Sequence, residues 1–247
     1  MKRIFKPLIT VILLFSAQFA WSLTLSEIRT EIRRNVRDTA TVATLRTYSD
    51  TTLNTLINQA QDEIVNQTWC VTTSTSYALL ASTSYYNLPT DFIAPEVVTF
   101  AGSTGVSYEL KEAARRSFIQ QNPDWLRQRG PPAQYIIQQS LSGGNPLLIS
   151  YYPIPSSTQI GTVTITYYKQ VDDLSSDSDV PFDGLNHLYP FHRTIVYEVT
   201  AKLKFIEGLS AEGSTYIQLY QSDLAIMAKR LSTSPNYSPG IVAGPAR

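Results

Sequence analysis

The sequence predicts an α+β fold: an N-terminal helical hairpin, a central antiparallel β-sheet region, a C-terminal helix pair and a flexible tail. Three observations carry this reading. Apolar residues recur at helical spacing between Leu25 and Ile64 and again between Ile195 and Met227. The middle of the chain is instead rich in Thr, Ser, Tyr and Val, the residues that suit a pleated surface. Prolines and small residues then crowd positions 232–247, which favours a tail over a packed element. The chain divides accordingly into 1–22, a signal-like segment, 23–231, the α+β domain, and 232–247, the tail.

Each element has a local reason. Thr24 and Glu27 are spaced as a capping box, with Ser26 as the alternative cap, and Leu25, Ile28, Ile32 and Val36 mark one helical face. Arg29, Arg33, Arg34 and Arg37 lie off that face. Ser49 or Asp50 caps a second helix with a stripe of Leu53, Leu56, Ile57, Ala60 and Ile64. Residues 70–101 read as short strands forming a hairpin, punctuated by Asn87-Leu88-Pro89 and Ala94-Pro95. Lys111 to Gln121 reads as a short helix stopped by Asn122-Pro123. Gly130-Pro131-Pro132 is a turn before an extended Tyr135-Ile136-Ile137, one that Gly130→Val should disturb if Gly130 has positive φ. Leu147–Tyr152 and Thr162–Lys169 are strands, the second alternating Val163, Ile165 and Tyr167 with three threonines. Pro190 fits a helix first turn, and Ile195, Val196, Val199, Leu203 and Ile206 line one face as far as Gly208. Ser210 caps a last helix bearing Tyr216, Leu219, Tyr220, Ile226 and Met227.

Composition narrows the function. The 247 residues carry 20 cations and 20 anions, so no global positive field marks a nucleic-acid binder. Lys2, Arg3 and Lys6 precede an apolar run of about 13 residues, short of the roughly 20 that span a bilayer, and Ala20-Trp21-Ser22 offers a cleavage motif. This reads as an export signal, with an uncleaved anchor as the alternative. Its removal leaves a net charge of −3.

Chemistry is hard to find. Cys70 is the sole cysteine, which rules out a disulfide framework, and it reads as a small buried apolar residue. His187 and His192, the only histidines, sit five apart and off one helical face, which favours packing over a metal site. Asp172, Asp173, Asp177, Asp179 and Asp183 lack the spacing and terminal Glu of a calcium loop and read as a solvated acidic linker. Gly143-Gly144-Asn145 is a turn, and no phosphate-binding or nucleophile-elbow glycine motif occurs. Asp62-Glu63 and the doublets Arg33-Arg34, Arg115-Arg116 and Lys229-Arg230 read as solvated surface. The sequence therefore predicts no catalytic residue, metal or cofactor.

A longer pattern is more specific. It runs from Trp125 through Gly130, Pro132 and Tyr135 to the strand Leu147–Tyr152 with Pro153-Ile154-Pro155. The strand containing Tyr167-Tyr168, the acidic stretch and a helix containing His192 follow. Tyr85-Tyr86-Asn87-Leu88-Pro89-Thr90-Asp91-Phe92 adds an aromatic-x-LPxDF turn, and the two opening helices fit the same order. This arrangement resembles the head-to-tail adaptor proteins of short-tailed bacteriophages, over about Leu23 to Leu231. The resemblance implies a structural, non-enzymatic virion protein. It implies a twelve-copy ring beneath the portal that extends the DNA channel without sequence-specific binding and docks a tail protein. Tyr86, Leu88, Pro89, Asp91, Phe92, Gly130, Pro132, Tyr135, Tyr152, Pro153, Pro155, Tyr167 and His192 are then structural motif positions. The tail would order on a partner, the portal being the expected one. The export-like start runs against a protein assembled in the host cytoplasm. It leaves open a misassigned start or an exported, periplasmic or extracellular binding module on the same fold, and a hydrolase is the remaining reading.

Overall fold

The computed structural model describes residues 22–40, 46–103, 105–139, 147–157 and 160–232. Almost all of the signal-like segment, the tail beyond Ser232 and the expected Gly143-Gly144-Asn145 turn lie outside them.

The chain opens with α1 (Leu25–Asn35) and α2 (Asp50–Thr68). The capping box forms as expected: the Thr24 N–H donates to Glu27 Oε2 at 2.8 Å, and the Glu27 N–H donates to Thr24 Oγ1 at 3.4 Å. Ser49, not Asp50, caps α2, its Oγ accepting from the Thr52 N–H at 3.0 Å. At the other end of the fold, α4 (His192–Ile206) follows a 3₁₀ turn (Asn186–Phe191) containing Pro190, and α5 (Ser210–Ser232) completes it. Gly208, at φ +76°, breaks the chain between them, a conformation glycine reaches without strain.

The two helix pairs are not separate layers. α4 packs against α1, α2 and α5 together, so Leu25, Ile28 and Ile32 share a core with Leu53, Ile57 and Ile64 and with Ile195, Val199 and Leu203, all at or near zero exposure. A helix covered on so many sides buries polar residues too, and Thr194, Glu198, Thr200 and Lys204 are all inside.

Between the helices, the middle region forms two four-stranded sheets rather than one. The first joins β1 (Thr72–Ala78), β8 (Gly161–Lys169), β3 (Phe92–Gly102) and β4 (Ser107–Glu109) in that order, antiparallel throughout. The second joins β2 (Tyr85–Asn87), β7 (Leu147–Tyr152), β6 (Gln134–Gln139) and β5 (Lys111–Glu112), where β5 and β6 run parallel. Their inner faces meet in one core of Val98, Phe100, Val163, Ile165 and Tyr167 against Tyr135, Ile149 and Tyr151. The alternation read in 162–167 is the inward face of β8.

Several expectations change. No hairpin forms within 70–101: β1 and β3 both flank β8, while β2 leaves for the second sheet. Strand propensity is local, but pairing is decided by which face must be buried. The short helix is only α3 (Arg115–Gln121), because Lys111 and Ala113 donate their N–H groups to Ala133 and Tyr135 carbonyls as a strand. Gly130 does not have positive φ; its N–H donates to the Ile154 carbonyl at 3.0 Å. Ile206, Leu219 and Ile226 face outward instead of into the helical core. The acidic stretch is the solvated linker expected, with Asp172, Asp173, Asp177 and Asp183 exposed, but its backbone is fastened to α2. Asn58 of α2 exchanges two hydrogen bonds with Leu174, and Gln61 holds the Asp172 carbonyl and the Phe182 N–H.

Candidate functional site

The expected motif residues other than His192 fall into three sets. The first is the turn after β2. The Pro89 carbonyl accepts from the Phe92 N–H at 3.2 Å, which closes the turn and turns Asp91 toward β8. Asp91 Oδ1 accepts from the Tyr167 hydroxyl at 3.0 Å and its carbonyl accepts from the Gln170 N–H at 2.7 Å, while Phe92 lies 5.4 Å from the Tyr167 ring. Lys169 Nζ stands 3.9 Å from Asp91 and 2.8 Å from Asp183. Burial and the Asp91 carboxylate push the Tyr167 phenol up to about 12, so it stays a donor at any ordinary pH.

The second set surrounds Tyr152. Its hydroxyl shares its one hydrogen between Asn122 Oδ1, at 3.3 Å, and Gln128 Oε1, and its ring meets Phe118 edge-on at 4.7 Å. The Gly130 N–H and the Ile154 N–H form a small two-way bridge between their segments, and the Tyr152–Pro153 bond is cis. Pro132 accepts the Tyr108 hydroxyl at 2.6 Å, and buried Pro155 accepts the Ser82 N–H at 3.0 Å. The third set lies in the sandwich. Tyr86 stacks on Tyr77 at 5.2 Å and its hydroxyl engages both backbone groups of Leu80. Leu88 is buried and bonded to the Leu147 carbonyl, and Tyr135 is buried with its phenol raised, first by burial and then by Glu112 and Glu109.

His192 belongs to none of these. It is fully buried, its Nδ1 accepts from the Leu23 N–H at 3.0 Å, and Phe182 and Tyr189 flank its ring. Burial pulls its pKa down to about 4, so it is a neutral packing group at pH 7. Cys70 is likewise buried, its thiol pushed up to about 12. Among the described residues no three His, Cys, Asp or Glu side chains converge to hold a metal ion.

Two buried polar clusters escaped the sequence reading. Arg33, expected on the surface, is buried and donates to Asp38 and Asp50, each at 2.7 Å; Asp38 also accepts the Thr47 and Tyr48 N–H groups. Glu198 of α4 is buried beside Lys202, whose Nζ is 2.7 Å from Glu198 and 2.8 Å from Glu63 of α2. Burial and the Glu63 partner raise Glu198 to about 8, while its hydrogen bond with Glu198 and the Lys202 ammonium hold Glu63 down. Only the helical period at Glu198, which falls between buried positions 195 and 199, hinted at either cluster.

These arrangements fasten strands, turns and helices to one another, and none places a nucleophile beside a base. A protein-family model described as SU10 adaptor protein matches residues 23–243. The chain belongs to the SU10 adaptor protein family. It is thus a structural, non-enzymatic protein of the bacteriophage head–tail adaptor type. Membership implies a virion component that works with portal and tail proteins. No curated protein matches the chain.

Proposed function

We propose that this adaptor assembles as a ring, on the order of twelve copies, beneath the portal, where it extends the DNA channel and docks the tail. One observation carries the ring. A closed ring of more than two copies needs two different surfaces on each subunit, one for each neighbour. Among the described residues, two groups of exposed apolar side chains lie in different parts of the fold. Leu80, Val106 and Ile160 cluster at one end of the first sheet, where Ala78, Thr162, Ala101 and Ser107 pair across adjacent strands. Phe205, Ile206 and Leu209 form the corner between α4 and α5. Ile206 is 71% exposed and Leu80 62%, and grouped exposed apolar side chains are the usual mark of an interaction surface. The motif residues then act as internal fasteners of residues 23–231, and dispersed cations with a net charge of −3 after residue 22 suit passage of DNA without strong phosphate binding.

The test is native mass spectrometry of the purified chain, alone and with portal rings. Rings, or stoichiometric decoration of the portal, are expected. Leu80→Asp and Ile206→Asp should each abolish them while leaving circular dichroism unchanged. A chain that stays monomeric and ignores the portal at tens of micromolar would overturn the reading.

The export-like sequence of residues 1–22 favours a second reading, an exported binding module on the same fold. Mapping the native N-terminus in fractionated cells and phage particles separates them. A start near Leu23 inside particles supports the adaptor, and a product cut after Ser22 found only outside the cytoplasm supports the module.

A further inference from the structure

A groove of about 840 Å³ opens where the outer face of the first sheet meets the helices. Tyr168 forms its floor, Pro190 and Phe191 one wall, and Leu231 at the end of α5 another. Its aromatic floor is held by an unusual backbone. Trp69 closes α2 at φ 50°, ψ 43°, a left-handed conformation that is costly for a bulky side chain. That conformation sets the indole 5.2 Å from the Tyr168 ring and half-exposed to the groove.

The chain itself points to the occupant. α5 ends at Ser232, one residue beyond the Leu231 wall, so residues 233–247 start at the rim. Fifteen residues reach roughly 45 Å when extended at about 3.1 Å each, ample to run along the groove. Pro235, Pro239 and Pro245 favour an extended chain with little left to lose on ordering, which is how proline-rich segments enter aromatic-lined grooves. Tyr237, Ile241 and Val242 supply apolar side chains, and Arg247 is the segment's only charged side chain. The groove lining carries Arg230, which lies over the Phe191 ring, and Glu96, a carboxyl with no ion-pair partner among the described residues and the one to receive Arg247. The family match also continues eleven residues beyond Ser232.

We propose that residues 233–247 fold back into this groove in the same chain, setting Tyr237 and Ile241 against the Trp69–Tyr168 floor. A portal or tail protein that takes hold of this segment must first draw it out, so groove occupancy and partner docking compete. The proposal does not depend on the ring.

Two experiments on the full chain, at concentrations where it is monomeric, test it. The first is hydrogen exchange of the double variant Tyr237→Asp/Ile241→Asp. Amides of 186–191 and 70–72 should lose protection by about tenfold while the helical core keeps its own. The second pairs Thr72→Cys with Tyr237→Cys in a Cys70→Ala background under mild oxidation. An intrachain disulfide is expected. Unchanged groove protection, absence of the cross-link, or cross-links only between chains would each overturn the assignment.

Discussion

The Leu23 N–H donates to Nδ1 of His192 across 169 residues, at 3.0 Å, and so ties the lead-in of α1 to the first residue of α4. The acceptor works only while the imidazole is neutral, because a protonated ring carries a hydrogen on that nitrogen. The folded pKa, about 4, lies below the ordinary 6.5. A group depressed in this way contributes stability that is present above pH 6.5 and lost as pH falls through 4. The loss should be about 3 kcal/mol by urea denaturation. His192→Gln, which can still accept the bond, should flatten that slope.

Glu198 acts in the opposite sense. Its folded pKa of about 8 stands above the ordinary 4.5, so its stabilising contribution is complete below pH 4.5 and disappears as pH rises through 8. The groups that face it are Glu63 of α2, Lys202 of α4 and Tyr220 of α5. Glu198→Gln mimics the protonated form and should raise stability at pH 8 by about 2 kcal/mol, with little effect at pH 4.5. Equal effects at the two pH values would contradict a buried neutral carboxyl.

Arg33→Met should be among the most damaging single changes in the helical layer. It leaves Asp38, whose side chain is 5% exposed, without its cation and leaves Asp50 with only Arg46, at 3.5 Å. Breaking a buried pair on one side costs about 3–5 kcal/mol. A thermal-shift series including Arg34→Met, whose residue is largely exposed and should tolerate the change, provides the comparison.

Gly161 tests the sandwich. A Cβ there would stand 2.2 Å from the Ala101 carbonyl oxygen and 2.7 Å from the Phe100 ring. Gly161→Ala should therefore force β3 and β8 apart and cost about 2–3 kcal/mol, read as a lower urea midpoint.

Tyr167→Phe removes the hydroxyl that binds Asp91 but leaves the ring on Phe92. The expected cost is about 1 kcal/mol, since Asp91 retains Lys169 as a partner. A loss several times larger would mean that the turn depends on this bond alone.

Local chemistry was legible in the sequence where it is self-contained. Thr24 and Glu27 specify the start of α1 because both partners lie in one turn, and the alternation at Val163, Ile165 and Tyr167 marks an inward strand face wherever that strand pairs. What escaped depends on distant residues. Nothing near β1 says that it will lie beside β8, since Thr72 meets Tyr168. Arg33 looks like a surface cation until Asp38 and Asp50 close over it. Ile206, Leu219 and Ile226 have the helical spacing of core residues, but spacing reports a face and not what covers it. Nothing in the sequence pointed to the bonds that the expected motif positions make, which became visible only once Asp91 met Tyr167 and Tyr152 met Asn122.

The central place of β8 and α4 has a consequence for how the protein is made. β1 and β3 have no shared partner until residues 161–169 exist, and α1 and α2 lack their main packing surface until α4 has been synthesised. A ribosome would therefore release most of this chain before any of it could close, with Val98, Phe100 and the apolar stripes of α1 and α2 still in water. Fragments cut short by proteolysis or early termination should be taken up by chaperones or degraded, not folded. Among the described residues the helical core closes only once α4 and α5 are in place, so a chain broken off before them carries that core open and marks itself for removal.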